Sequence, residues 1–72
     1  MTLTFGEKIR NLREDMDMSQ TELGLATCMS QRKISYIENG RYEPGLQDIM
    51  EFCKFFRVSA DYLLGIPKEY RR

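Results

Sequence analysis

The sequence predicts an all-α fold, a compact bundle of five short helices, on three observations. Apolar residues recur at helical spacing in successive segments. Serine, threonine and glycine stand where those segments start and stop. No segment alternates apolar and polar residues as a half-buried strand would, and there is no internal repeat or low-complexity stretch.

The first helix starts at Thr4. With Glu7 three residues later, Thr4 forms a capping box in which each side chain satisfies a free backbone N–H. Phe5, Ile9, Leu12 and Met16 then mark a buried stripe, with the charges between them solvated and the helix ending near Asp15 or Met16. Ser19 and Glu22 form a second capping box, opening a helix over about 20–26. Leu23, Ala26 and Thr27 share its inner face, and Leu25 points the other way. Ser30 is the N-cap candidate for a third helix over about 31–39, closed by Asn39-Gly40. A loop carrying Pro44 leads to a fourth helix over about 46–56, with Ile49, Phe52, Cys53 and Phe56 inward. Ser59 caps a fifth helix over 60–64 that stops at Gly65. Residues 1–66 are expected to form one domain, and 67–72 a charged, frayed tail.

Composition narrows the chemistry. The chain has 72 residues and no histidine, so the commonest general base and metal ligand is missing. Cys28 and Cys53 are far apart, and two thiols without imidazole make no zinc site. With no nucleophile–base pairing and no phosphate-cradling glycine loop, an enzyme is not expected, nor a cofactor, metal or small-molecule ligand. The first apolar run is broken by Glu7, Lys8 and Arg10, which argues against a signal peptide. No run approaches the ~20 apolar residues that span a bilayer. A cytoplasmic protein with reduced thiols is the expectation. Net charge is zero, which counts mildly against nucleic-acid binding, but no acid falls between Leu23 and Ile37, where Arg32 and Lys33 lie.

The third helix separates into two faces on a helical wheel. Ile34 and Ile37 lie together toward the core, and Arg32, Tyr36 and Asn39 lie opposite with Ser35 alongside. Gln31 sits in the first turn. These groups suit base edges and phosphates, arginine pairing with guanine and glutamine with adenine; an ordinary solvated face would look similar. Glu38 falls beside Ile34, turned inward, where an unpaired carboxylate is very costly. Arg13, one turn beyond Ile9, is the candidate partner; the alternative is that Glu38 reaches solvent.

Four runs then carry a resemblance: MSQTEL from Met18, ISYIENGR from Ile34, EPGL from Glu43 and VSADYLLG from Val58. In this order and spacing they resemble the helix-turn-helix domains of phage repressors and Cro-like regulators, over nearly the whole chain. The resemblance implies a five-helix repressor-like DNA-binding domain whose third helix enters the major groove. It implies that Gln31, Arg32 and Tyr36, with Ser35 beside them, read bases. Gln20 falls on a glutamine that typically bonds a phosphate and supports the neighbouring helix. Ser30, Asn39 and Arg41 fall near positions that typically meet the DNA backbone, and Lys33 is a further phosphate-contact candidate. Arg13 and Glu38 match a buried ion pair of some members. Three positions depart from the family: Cys28 stands for the usual turn glycine, Thr27 for a large aliphatic residue and Gly24 for alanine.

The implied partner is double-stranded DNA, taken as a palindromic operator by a homodimer. Phe55, Tyr62, Ile66 and Tyr70 are the candidate dimer residues, and repression by occlusion is the simplest use. The alternative is a protein-interaction module of the same fold, such as an antitoxin-like partner, favoured by the neutral charge and by Leu25 and Phe55 lying off the core faces. Cys28 reads as an inert turn residue or, less simply, a redox sensor.

Overall fold

The computed structural model describes residues 3–66. Five helices follow in order: α1 (Phe5–Asp15), α2 (Gln20–Thr27), α3 (Gln31–Glu38), α4 (Leu46–Phe56) and α5 (Ala60–Leu64). Their starts are chemically marked. Thr4 and Ser19 each form a complete capping box, and the hydroxyls of Ser30 and Ser59 accept the backbone N–H of Lys33 and Tyr62. At α4 Asp48 reaches back to the Gly45 N–H, 3.1 Å away. α2 and α3 end within a residue of where sequence placed them, with Asn39 as the C-cap of α3 and Gly40 left-handed after it.

Every helix contributes to one core. Ile9 from α1, Leu23 from α2, Ile34 and Ile37 from α3, Phe52 from α4 and Leu63 from α5 are all buried. Phe52 is the centre of an aromatic row, with ring centroids 6.0 Å from Phe5 and 6.3 Å from Phe56. α3 packs between α1 and α2, while α4 and α5 close the far side.

Several expected burials change. Met16, placed on the buried stripe of α1, is 51% exposed, because the helix stops at Asp15 and Met16 becomes its C-cap. Ala26 is exposed while Leu23 and Thr27 are buried, so the inner face of this short helix is narrower than its spacing suggested. Lys8 is buried although its charge was expected in solvent. Its stem lies inside and its Nζ donates to the Tyr62 carbonyl at 2.7 Å, 5.2 Å from the Tyr62 ring centre, tying α1 to α5. Phe55, expected off the core, is half-buried, edge-on to Phe56 at 5.1 Å.

Two glycines set how closely α3 is gripped. A Cβ on Gly6 would overlap the Ile37 carbonyl and sit 2.7 Å from that of Glu38, so α1 lies directly on the end of α3. A Cβ on Gly24 would overlap the Met29 carbonyl, in the turn before α3. That turn is built on Gly24: the N–H groups of Cys28 and Met29 both point to its carbonyl. Cys28 is left-handed, with φ 60° and ψ 39°, a conformation that glycine adopts at little cost and other residues only with strain. Thr27 is buried and satisfied, its hydroxyl donating to the Leu23 carbonyl at 2.8 Å. Asp17 and Arg57 also have positive φ, neither foreseen from sequence.

Two stability outcomes follow from this geometry. Gly6→Ala should destabilise the domain by about 1–3 kcal/mol in urea titration, although alanine is the better helix former, because the new methyl meets backbone; a stabilised variant would contradict the contact. Cys28→Gly should stabilise it by roughly 0.5–1 kcal/mol by relieving the left-handed strain. A loss of stability there would mean that the cysteine side chain contributes packing the backbone argument omits.

Candidate nucleic-acid interface

α3 presents the two faces that its wheel describes. Ile34, Ile37 and Glu38 are buried; Gln31, Arg32, Tyr36 and Asn39 are exposed, and Ser35 is partly so. The exposed face thus carries a guanidinium, two amides, a phenol and a hydroxyl, with Arg41 exposed just beyond the helix. No side chain of the described residues holds Arg32 or Arg41, so both guanidiniums are available to a partner.

The inner face is fixed by Glu38, whose side chain has no solvent exposure. Arg13 donates from Nε to Oε2 at 2.7 Å and from Nη2 to Oε1 at 3.0 Å. A third Arg13 bond, from Nη1, goes to the Met18 carbonyl at 2.8 Å and pins the α1–α2 connection. Two further donors reach Oε1: Gln20 Nε2 at 3.1 Å and, more weakly, Arg10 Nε at 3.5 Å. Every buried side-chain N or O among the described residues has a partner. Burial pushes the Glu38 carboxyl up. The bonds from Arg13 and Gln20 and the nearby Arg13 charge outweigh that, and hold it below its ordinary value.

The other candidate residues sort by how far the fold already employs them. Gln20 is engaged at both ends, since its Oε1 also accepts from Gln31 Nε2 at 2.7 Å. Asn39 accepts from Arg10 Nη2 at 2.9 Å and donates to Ser35 at 3.4 Å, so it is oriented but still exposed. Lys33 is held away from the outer face. Its Nζ pairs with Asp48 at 2.9 Å, 5.2 Å from the centre of the Tyr42 ring, and the bond to Asp48 raises its pKa. Ser30 spends its acceptor on the α3 N-cap. Tyr62 and Ile66 are exposed, Phe55 is half-buried, and Tyr70 lies outside the described residues.

Sequence reasoning missed Arg10, the Gln20–Glu38 bond and the Lys33–Asp48 pair. Arg10 stands one helical turn before Arg13, which was a usable signal. The other two join residues 18 and 15 positions apart and left no local trace. Among the described residues no helix is long and apolar enough to cross a membrane.

Glu38 gives two checkable outcomes. Glu38→Ala should destabilise the fold by about 3 kcal/mol or more, because Arg13 is left without its partner in a mostly buried position; an unchanged melting temperature would contradict this. A carboxyl held low in the folded state contributes its full stability above its ordinary value of 4.5, and that stability is lost as pH falls through the depressed value. The melting temperature should therefore fall more steeply below about pH 4.5 in the wild type than in Glu38→Gln. Parallel curves would show that Glu38 is not the group titrating.

Comparison with known proteins agrees with this geometry. A helix-turn-helix family model matches residues 9–63. The chain is 32% identical over 63 residues to the HTH-type transcriptional activator BcrR of Enterococcus faecalis, covering 88% of this chain but only 31% of that protein. It is 27% identical over 62 residues to an uncharacterized HTH-type transcriptional regulator, YgzD of Bacillus subtilis (strain 168), covering 86% and 94% of the two chains. The structure superposes with TM-score 0.82 on the P22 c2 repressor in complex with a synthetic operator, at 33% identity over 88% of this chain and 96% of that one. The restriction-modification controller protein C.AhdI from Aeromonas hydrophila shares the fold, with TM-score 0.77 at 22% identity over 83% and 91%. With helices α2 and α3 forming its helix-turn-helix, the chain belongs to the helix-turn-helix family of phage repressor and Cro-like regulators.

Proposed function

We propose that this domain binds double-stranded DNA sequence-specifically and serves a transcriptional regulator, with α3 in the major groove. The observation that carries this is the outer face of α3. A helix with its side chains is about 10–12 Å across and fits the ~12 Å width of the groove, and the eight residues of α3 present Gln31, Arg32, Ser35 and Tyr36 together. Gln31, Arg32 and Tyr36 read base edges with Ser35 beside them. Arg41, Asn39 and the hydroxyl of Ser30 set register on phosphates, and Gln20 keeps one amide hydrogen for the same use. Lys33, committed to Asp48, is not assigned a DNA contact. The likeness to the P22 c2 repressor, which is seen on an operator, supports this reading.

One such domain makes few contacts, so a homodimer on a palindromic operator with half-sites about one helical turn apart completes the proposal. The exposed Tyr62 and Ile66 mark the end of the molecule assigned to the dimer contact, and repression by promoter occlusion is the simplest use. One observation favours a protein-interaction role: Leu25 is 79% exposed on α2.

Salt separates the two roles. Binding of duplex DNA should weaken steeply as salt rises; a salt-insensitive partner interaction would favour the second role. Arg32→Ala should cost ~1–3 kcal/mol of specific affinity and relax preference at one base position. Equal loss for all sequences would make Arg32 a phosphate contact only.

A further inference from the structure

α3 carries two cations side by side in sequence, and the fold treats them oppositely. Arg32 is exposed on the outer face. Lys33 and Tyr36, three residues apart, are neighbours on the helix surface, so Lys33 stands at the rim of that face. Its Nζ nevertheless turns to α4 and donates to Asp48 Oδ1 at 2.9 Å. The Asp48 side chain is only 13% exposed, and its Oδ2 accepts the Gly45 N–H at 3.1 Å, so the carboxylate is anchored at the start of α4. The ring of Tyr42, on the loop between the two helices, has its centre 5.2 Å from the same Nζ. α3, the loop and α4 thus converge on one ammonium at the edge of the DNA-reading surface.

We infer that Asp48, with Tyr42, withholds the Lys33 ammonium from DNA phosphates, which makes Asp48 a positioning residue for the balance between sequence-specific and sequence-independent binding. The inference rests on the DNA-reading role proposed above. A helix in the major groove has a phosphate backbone along each side, and a lysine at the rim of its reading face is placed to meet one. Lysine suits that contact, because its charge is compact and its four-carbon stem flexible. Such a contact releases counterions on any duplex and carries no base information. It favours the sequence-independent complex, which is free to shift until its cations meet phosphates, whereas on an operator the base contacts fix α3. A partly exposed ion pair adds little to stability, so the larger consequence of the Lys33–Asp48 pair is the mobile charge it removes from the DNA-facing rim.

Equilibrium binding by the wild type, Asp48→Asn, Lys33→Met and the double variant tests this, each first shown folded by circular dichroism. The probes are a duplex that the wild type selects from a random pool and a scrambled duplex of equal length, titrated between about 50 and about 200 mM salt. Asparagine keeps an oxygen for the Gly45 N–H and removes the charge that holds Lys33. Asp48→Asn should steepen the slope of log affinity against log salt by ~0.9 per domain, the signature of one added phosphate contact. Its affinity for the scrambled duplex should rise ~3-fold at the low-salt end, and its preference for the selected duplex should fall at least ~2-fold. Lys33→Met should keep the wild-type slope, and the double variant should lose the added steepness. An unchanged slope in Asp48→Asn would overturn the inference. So would a double variant as steep as Asp48→Asn, because loss of an acidic charge would then explain the gain by itself. If Asp48→Asn does not fold, Lys33→Met decides: a slope shallower than the wild type by ~0.9 would put the lysine on a phosphate already and overturn the inference. If the wild type enriches no sequence, the DNA-reading role fails. The hold on Lys33 is then judged in the free protein by NMR of its ammonium. Hydrogen exchange there should be faster in Asp48→Asn than in the wild type; equal rates would overturn it.

Discussion

One buried carboxylate organises this domain. Glu38 sits at the end of α3 with no access to water, where an uncompensated charge would cost more than a small domain has to spare. It is compensated by Arg13 and Arg10 from α1 and by Gln20 from α2. Three helices thus meet at one side chain. Rotating α3 about its axis, or sliding it along α1, would break charge-assisted bonds as well as apolar contacts. Packing alone, spread over Ile34 and Ile37, would tolerate such movements better. The ion pair therefore adds direction to a core that already supplies cohesion.

Backbone contacts tighten the same hold. Gly6 lets α1 rest on the carbonyls at the end of α3, and Gly24 admits the Met29 carbonyl just before its start. α3 is gripped near both ends by positions where any side chain would intrude. The left-handed Cys28 completes the turn between them, and the exposed thiol takes no part in the hold. Further out, Lys33 with Asp48 joins α3 to α4, and Lys8 joins α1 to α5. What remains unconstrained is the outer row of α3, with Arg32 and Tyr36 open to a partner.

The helices and their ends were legible because they are set locally. Thr4, Ser19, Ser30 and Ser59 act within four residues of themselves, and so do Gly40 and Gly65. Glu38 was legible for another reason: a charge on an apolar face is an anomaly that asks for a partner, and Arg13 was the cation in reach. The remainder depends on distances that no local pattern encodes. Lys8 looked like any solvated lysine, yet the end of α5 covers it. Lys33 looked like a free cation beside Arg32, yet Asp48 from α4 takes it. Gly6 drew no notice, because a glycine's importance lies in what approaches it. Neutral net charge was a weak guide for a related reason, since the cations facing outward near α3 are balanced by acids elsewhere on the molecule.

The outer face of α3, held by Glu38, is the surface proposed to meet DNA. Chemical-shift mapping of isotope-labelled protein titrated with a selected duplex tests it most directly. Shifts should concentrate at Gln20, at Ser30 to Tyr36, and at Asn39 and Arg41, with Leu63 and Phe56 unmoved. Shifts centred instead on Leu25, or on the end carrying Tyr62 and Ile66, with the α3 face silent, would contradict it.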